Sequence, residues 1–105
     1  MPLRIIVLFN LRDGVDPAIY EAWAAAIDAP AVRRLPSVAG FGVHALTGLL
    51  TGQGTPPFQY VEVLDVADMD RLGPDISTPK MQAISAQFQE FADNPMFITT
   101  REVGA

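Results

Sequence analysis

The fold is decided by residues 4–17, which read RIIVLFNLRDGVDP. Residues 4–9 are a β-rich apolar run, and Asp13-Gly14 marks the turn that follows it. Asp16 then predicts the N-cap of a helix and Pro17 its first residue, where the missing N–H of proline costs nothing. The segment therefore predicts a strand, a turn and a capped helix in direct succession.

The same order returns in the second half of the chain. Residues 58–64, FQYVEVL, form a second β-rich run, and Thr78-Pro79 repeats the cap-and-proline signal. Each half closes on a further strand, predicted over residues 41–46 and 96–103. Two βαβ units predict one α+β domain, 1–105, of the ferredoxin-like type. Its four-stranded antiparallel sheet would carry both helices on one face.

Apolar spacing assigns a buried face to each helix. The first helix is predicted over residues 17–28, with Tyr20 beside its stripe, and Pro30 is expected to interrupt it before a short helical turn at 31–35. A second short turn is predicted at residues 67–72, ended by Gly73-Pro74. The stripe of the first helix is Ile19, Trp23 and Ile27, and that of the second main helix is Met81, Ile84, Phe88 and Phe91.

Composition excludes several classes of function. Half of the residues are hydrophobic, 18% are charged, the net charge is −5 and no cysteine is present. Disorder, disulfides and thiolate catalysis are therefore excluded, and the lone basic cluster, Arg33-Arg34, makes nucleic acid and anionic membranes poor partners. One histidine predicts no metal site, and no cofactor motif is present. The longest early apolar run, residues 5–9, is too short to span a membrane, so a cytoplasmic protein is expected.

A homodimer is expected because residues on both faces of the first strand are apolar. Ile5, Val7 and Phe9 alternate with Ile6 and Leu8, whereas the helices of one protomer can cover only one face of the sheet.

Three polar side chains stand out on strands that otherwise read as core. Glu62 lies between two valines, and its burial would raise its pKa, unless it faces solvent at a sheet edge. His44 lies on a neighbouring antiparallel strand, and Tyr60 shares a face with Glu62. Cross-strand pairing of His44 with Glu62 beside the Tyr60 hydroxyl would give a proton-transfer set. The alternative for His44 is a partly buried residue or one at a dimer seam.

The remaining candidates line the predicted pocket or its rim. Asn10 ends the first strand, where a structural cap is the alternative to a catalytic role. The pocket is expected beneath the second main helix, with the glycine- and proline-rich loop 47–57 at its mouth. Its predicted substrate-binding residues are Trp23, Met81, Phe88 and Phe91. A core position is the favoured interpretation for Trp23, whose indole would also line a cavity if it faces the sheet.

Short segments along nearly the whole chain resemble a known family. They include residues 6–11 (IVLFNL), 20–23 (YEAW), 35–38 (LPSV), 60–63 (YVEV) and, most distinctively, 90–95 (EFADNP). The resemblance is to the RedY-like proteins of prodiginine and related bisindole pathways. It implies the dimeric α/β-barrel superfamily, with a cavity between sheet and helices. His44, Tyr60 and Glu62 match positions that reach into such cavities, and Asn10 matches less well.

This resemblance implies a function in small-molecule biosynthesis. The first hypothesis is a cofactor-independent cyclase or cyclodehydratase that acts on a small pyrrole- or indole-containing substrate of pigment biosynthesis. The second is a cofactor-free monooxygenase, although oxygenase members often use more histidines than this chain has. The third is a non-enzymatic carrier that protects a reactive intermediate. The fold alone cannot choose between them.

Overall fold

Four antiparallel strands form one sheet in the order β2-β3-β1-β4 in the computed structural model, which describes residues 3–104. The strands are β1 (Leu3–Leu11), β2 (Val38–Ala45), β3 (Tyr60–Val66) and β4 (Ala92–Thr99). The helical segments are α1 (Pro17–Trp23), a π-helical turn (Ala24–Asp28), α2 (Ala29–Arg33), α3 (Met69–Ile76) and α4 (Pro79–Phe91). This topology confirms the predicted ferredoxin-like α+β fold.

Both predicted helix caps are present. The Asp16 side chain accepts a hydrogen bond from the backbone N–H of Ala18 at 2.9 Å, ahead of Pro17. The Thr78 hydroxyl accepts one from the N–H of Met81 at 3.3 Å. Each cap satisfies an N–H that has no partner inside the helix, so the strand-to-helix turns begin where the sequence predicts.

Pro30 does not interrupt the first helical segment, contrary to expectation. The π turn at Ala24–Asp28 bonds the N–H of Ala29 to the carbonyl of Ala24, five residues earlier, and α2 continues directly from it. The wider π turn leaves room for the proline ring and removes the need for its missing N–H. The helical path therefore runs unbroken from α1 through α2.

The predicted buried stripe of this helix was wrong by one residue. Ile19 is 61% exposed and Ile27 46% exposed, whereas Tyr20, Ala24 and Asp28 are buried. The packing of the Tyr20 ring sets the inward face, and the π turn carries that face on to Asp28. The residue that packs inward at this point is therefore Asp28 and not the predicted Ile27.

Two boundaries also differ from prediction. Helix α3 continues past Gly73 with Pro74 inside it, and the Ser77 hydroxyl donates to the Gly73 carbonyl at 2.6 Å near its end. Strand β4 begins at Ala92, directly after α4, and includes Pro95. Proline is tolerated there because β4 is an edge strand, where one N–H need not pair.

The helices cover one face of the sheet and leave the other bare. The covered face carries the main core, which comprises Val7, Phe9, Leu11, Tyr20, Ala24, Tyr60, Phe88 and Ala92. The helix-free face, here called the open face, carries Ile6, Leu8, Val61 and Val63 at the centre of the sheet. One side of the sheet is thus a packed core and the other an apolar surface.

Candidate functional site

A cavity of about 250 Å³ lies between the covered face of the sheet and the helices. Its lining is mainly apolar, and both the sheet and the helices contribute to it. The sheet supplies Ile5, Val7, Phe41, Leu64 and Phe97, and the helices supply Val32, Leu72, Ile76, Met81, Ile84 and Phe88. An apolar, partly enclosed space of this kind is typical of small-molecule sites.

Two carboxyl groups interrupt this apolar lining. Asp28 projects from the π turn and Glu62 from the middle of β3, and each is 6% exposed. Oε2 of Glu62 is buried and has no hydrogen-bond partner among residues 3–104. Burial, followed by the nearby charge of Asp28, raises the pKa of Glu62 to about 8. Burial also raises the pKa of Asp28 to about 6.

This pair can hold and move protons near neutral pH. Like charges in one apolar space oppose joint ionisation, so the first proton leaves far more easily than the second. A neutral acid and an ionised carboxylate then coexist in one cavity. Such a separation of titration ranges is how enzymes assign acid and base roles to two carboxyls.

The predicted pairing of His44 with Glu62 was wrong. Val43 is the residue opposite Glu62, whereas His44 is opposite Val61 and therefore lies on the open face. The imidazole lies over Gly42, where an added Cβ would stand 3.0 Å from its Nε2. Side chains alternate between the faces of a strand, so a register shifted by one residue moves His44 away from the cavity.

Tyr60 shares the covered face with Glu62, but its hydroxyl forms a hydrogen bond with a different residue. Its hydroxyl donates to Oε2 of Glu21 in α1 at 2.7 Å. Burial and then this hydrogen bond raise the pKa of Tyr60 to about 12. It lines a neighbouring cleft of about 300 Å³, together with Tyr20, Arg33 and Val43, instead of the cavity.

Asn10 and the loop 47–57 lie away from the cavity. The side-chain Oδ1 of Asn10 accepts a hydrogen bond from the backbone N–H of Gln59 at 2.9 Å, while Oε1 of Gln59 accepts one from the backbone N–H of Leu11 at 2.6 Å. These bonds hold the end of β1 to the start of β3. None of the residues 47–57, all of which the structure describes, lines the cavity, so the expected position of the loop at its mouth was wrong.

The four predicted substrate-binding residues divide into two pairs. Met81 and Phe88 line the cavity, but Trp23 and Phe91 do not. Trp23 donates its indole N–H to Oε1 of Gln87 at 3.0 Å and packs on Phe91 with ring centroids 5.2 Å apart. These two rings pack against the Tyr20 ring instead, with centroids 6.1 Å and 5.6 Å from it.

Asp28 is the site residue that sequence reasoning missed. A signal was present, because Tyr20, Ala24 and Asp28 recur every four residues along the helix. The pattern of strongly apolar residues predicted that Ile19 and Ile27 form the buried face of the first helix, with Asp28 at its end. Within residues 3–104, no three histidine, aspartate or glutamate side chains come together in a way that could hold a metal ion.

Comparison with known proteins gives one family and several similar structures. The model of the family described as REDY-like protein HapK matches residues 3–103. The crystal structure of HapK from Hahella chejuensis is 25% identical, with a TM-score of 0.75, over 100% of this chain and 95% of that one. The comparison with curated proteins gives no match.

Two further structures share the fold at lower identity. A dimeric ferredoxin-like protein of unknown function from Thermobifida fusca is 23% identical, with a TM-score of 0.72, over 95% of this chain and 90% of that one. The At3g17210 protein of Arabidopsis thaliana is 14% identical, with a TM-score of 0.79, over 98% of this chain and 97% of that one. Among residues 3–104, no helix is long and apolar enough to cross a membrane.

Proposed function

The chain belongs to the REDY-like HapK protein family, and from this premise we propose that it is a cytoplasmic, cofactor-independent enzyme of small-molecule biosynthesis. It acts as a cyclase or cyclodehydratase on a pyrrole- or indole-containing intermediate of a prodiginine- or bisindole-type pathway. Ring closure of this kind needs an acid, a base and a shaped apolar space.

The pair of buried carboxyls carries this proposal. At neutral pH Glu62, with a pKa of about 8, keeps its proton and serves as the general acid. Asp28, with a pKa of about 6, is mostly ionised and serves as the general base. Asp28 thus takes, in this proposal, the role predicted for His44, whose side chain lies on the other face of the sheet.

The size and lining of the cavity support an aromatic substrate. An apolar cavity of roughly 150 Å³ holds a benzene molecule in other proteins. The 250 Å³ found here therefore has room for a ring with a second ring or substituents. Met81 supplies an adaptable thioether and Phe88 an aromatic surface at the α4 wall, both suited to a flat ring system.

We also propose that the protein is a homodimer that buries the open face. Ile6, Leu8, Val61 and Val63 form a continuous apolar surface that one protomer leaves uncovered. The similar Thermobifida fusca protein is described as dimeric. The cavity lies on the opposite side of the sheet, so each protomer keeps its own site.

The test is incubation with candidate pathway intermediates, with and without oxygen. A cyclase gives product in both atmospheres. Asp28→Asn and Glu62→Gln should each reduce the rate by roughly a hundredfold or more, because that is the usual contribution of general acid–base catalysis. Product that forms only with oxygen consumption would support the monooxygenase instead, and binding without turnover the carrier. A rate that falls in His44→Gln but not in Asp28→Asn would restore the pairing predicted from the sequence.

A further inference from the structure

The cavity holds acidic groups without a compensating positive charge. Asp28 and Glu62 both line it, and in the described part of the chain no lysine, arginine or histidine side chain does so. The two carboxyls lie close enough for the charge of Asp28 to raise the pKa of Glu62. Buried charges in proteins are normally paired, so the missing positive charge indicates a ligand that supplies it.

Glu62 also lacks a hydrogen-bond partner in this cavity. Its side chain is 6% exposed, and Oε2 forms no hydrogen bond with any residue from 3 to 104. Buried polar atoms are nearly always paired in native structures. An unpaired carboxyl oxygen in a cavity wall is suited to a ligand atom that shares a proton with it. A basic nitrogen does so, whereas a carbon atom or a fully methylated ammonium does not.

The arginine nearest to Asp28 along the chain does not supply the charge. Arg33 follows Val32, which lines the cavity, but its own side chain lines the neighbouring cleft. Its Nε–H donates to the backbone carbonyl of Phe41 at 3.0 Å. The positive charge is therefore left to the ligand.

Three phenylalanine side chains line the same cavity. They are Phe41 on β2, Phe88 on α4 and Phe97 on β4. The faces of aromatic rings attract cations, most strongly where water is excluded. Such walls favour a flat ligand that carries positive charge, in the same direction as the two carboxyls.

Building on the proposed acid–base function, we propose that the substrate carries a basic C=N nitrogen, which takes the Glu62 proton and is held as a cation in the cavity with the Asp28 carboxylate. The O–H bond of Glu62 breaks and its proton passes to the nitrogen lone pair. The C=N carbon then accepts an electron pair from the atom that closes the ring, and the C=N π pair moves to the nitrogen. Asp28 takes the proton that the attacking atom loses, so no oxidant or reductant is needed.

The substrate class is therefore a flat aromatic compound with an imine- or amidine-type nitrogen. A neutral amide of the same shape lacks the positive charge that the cavity calls for. A carboxylate is disfavoured, because it would bring a further negative charge into a cavity that already holds Asp28.

Three probes of nearly the same shape test this substrate class. Benzamidine is a cation, benzamide is neutral and benzoate is an anion. The wild-type protein is expected to bind benzamidine roughly tenfold or more tightly than benzamide at neutral pH, as a hydrogen bond between charged groups would give. Benzoate should bind most weakly. Calorimetry gives the three dissociation constants.

A pair of variants assigns the preference to the cavity. Asp28→Asn removes the negative charge and keeps the shape, so it should remove most of the preference for benzamidine and leave benzamide binding unchanged. Glu90→Gln is the control, because it removes one negative charge from an exposed position of α4 that does not line the cavity. The control should keep the full preference.

A pH titration of the wild-type protein gives a second readout that needs no folded variant. Among residues 3–104, Asp28 and Glu62 are the titratable side chains that line the cavity, and they ionise as the pH rises through about 6 and about 8. Burial raises the pKa of Tyr20 and of Tyr60 in the neighbouring cleft, so both stay neutral over this range. Benzamidine itself stays protonated between about pH 5 and 9.

Benzamidine binding should therefore strengthen as the pH rises, while benzamide binding stays constant. In Glu62→Gln the step around pH 8 should be absent, because the group that ionises there has been removed. A wild-type affinity for benzamidine that does not change with pH would overturn the cationic substrate.

The outcomes separate this inference from the proposed function. Equal binding of benzamidine and benzamide, tighter binding of benzoate, or a full preference in Asp28→Asn overturns the cationic substrate but leaves the aromatic cavity standing. A preference that is lost in Glu90→Gln overturns it too, since surface charge then explains the binding. Failure to bind any of the three probes overturns the cavity as a ligand site, and both proposals with it.

Discussion

At the scale of single residues, the proposed chemistry of this protein depends most on Glu62. Its carboxyl is buried in an apolar cavity, and within the described part of the chain Oε2 accepts no hydrogen bond, so the neutral form is favoured. Glu62→Gln keeps the shape and removes the ionisation, and we expect it to abolish turnover while it leaves the dissociation constant of a neutral aromatic ligand nearly unchanged. Steady-state rates and calorimetric binding measure the two effects separately. Wild-type turnover in this variant would rule out Glu62 as the acid.

The same residue makes stability depend on pH in a defined direction. The folded-state pKa of Glu62 is raised from 4.5 to about 8, so the folded protein binds this proton more tightly than the unfolded chain. The contribution of Glu62 to the free energy of unfolding is present in full below pH 4.5 and is lost as the pH rises through 8. Between those two pH values the free energy of unfolding falls by up to roughly 1.4 kcal/mol per pH unit. Urea unfolding of wild type and Glu62→Gln across this range should show a steeper decline for wild type. If the free energy of unfolding depends on pH in the same way in wild type and Glu62→Gln, the raised pKa of Glu62 is contradicted.

At the scale of elements, helix α4 supplies one wall of the cavity. Phe88 is 7% exposed and meets Phe9 edge to face, with centroids 5.0 Å apart. Phe88→Ala should lower the free energy of unfolding by about 3–5 kcal/mol through lost burial and the space left behind. It should also weaken binding of aromatic ligands, since the ring lines the cavity. Chemical denaturation and calorimetry give the two values.

Phe97 provides the control for that substitution. It lies 6.3 Å from the Phe88 ring and lines the same cavity, but it is 60% exposed. Phe97→Ala should therefore cost far less stability than Phe88→Ala, because less buried surface is lost. Equal losses in the two variants would mean that α4 does not bury Phe88 in the way described.

At the scale of the whole molecule, the open face predicts the oligomeric state. Sedimentation at micromolar concentration should give a dimer, because the apolar surface around Leu8, Val61 and Val63 is otherwise left to water. Val61→Glu places a charge in that surface and should yield monomers. Ile19→Glu is the control, because it adds the same charge at an exposed helix position. A monomeric wild-type protein would overturn the dimer.

The order of strands and helices follows from the sequence alone. Asp16-Pro17 and Thr78-Pro79 begin helices where their local chemistry predicts, since a cap needs only the residues within one turn. The β-rich runs and the two βαβ units then determine the antiparallel topology. The resemblance to the RedY-like family rests on the same linear pattern and is confirmed over residues 3–103.

The composition of the site was decided by the tertiary structure. Strand register placed Val43, and not His44, opposite Glu62, and one residue of offset exchanges the two faces of a strand. The π turn and the packing of Tyr20 turned Asp28 inward and left Ile27 in solvent. Neither the strand register nor the orientation of the helix can be predicted from a single turn or strand, because each depends on how segments far apart in the chain pack together. The sequence therefore predicted that Glu62 points into the cavity, and only the folded structure placed Asp28 in the same cavity.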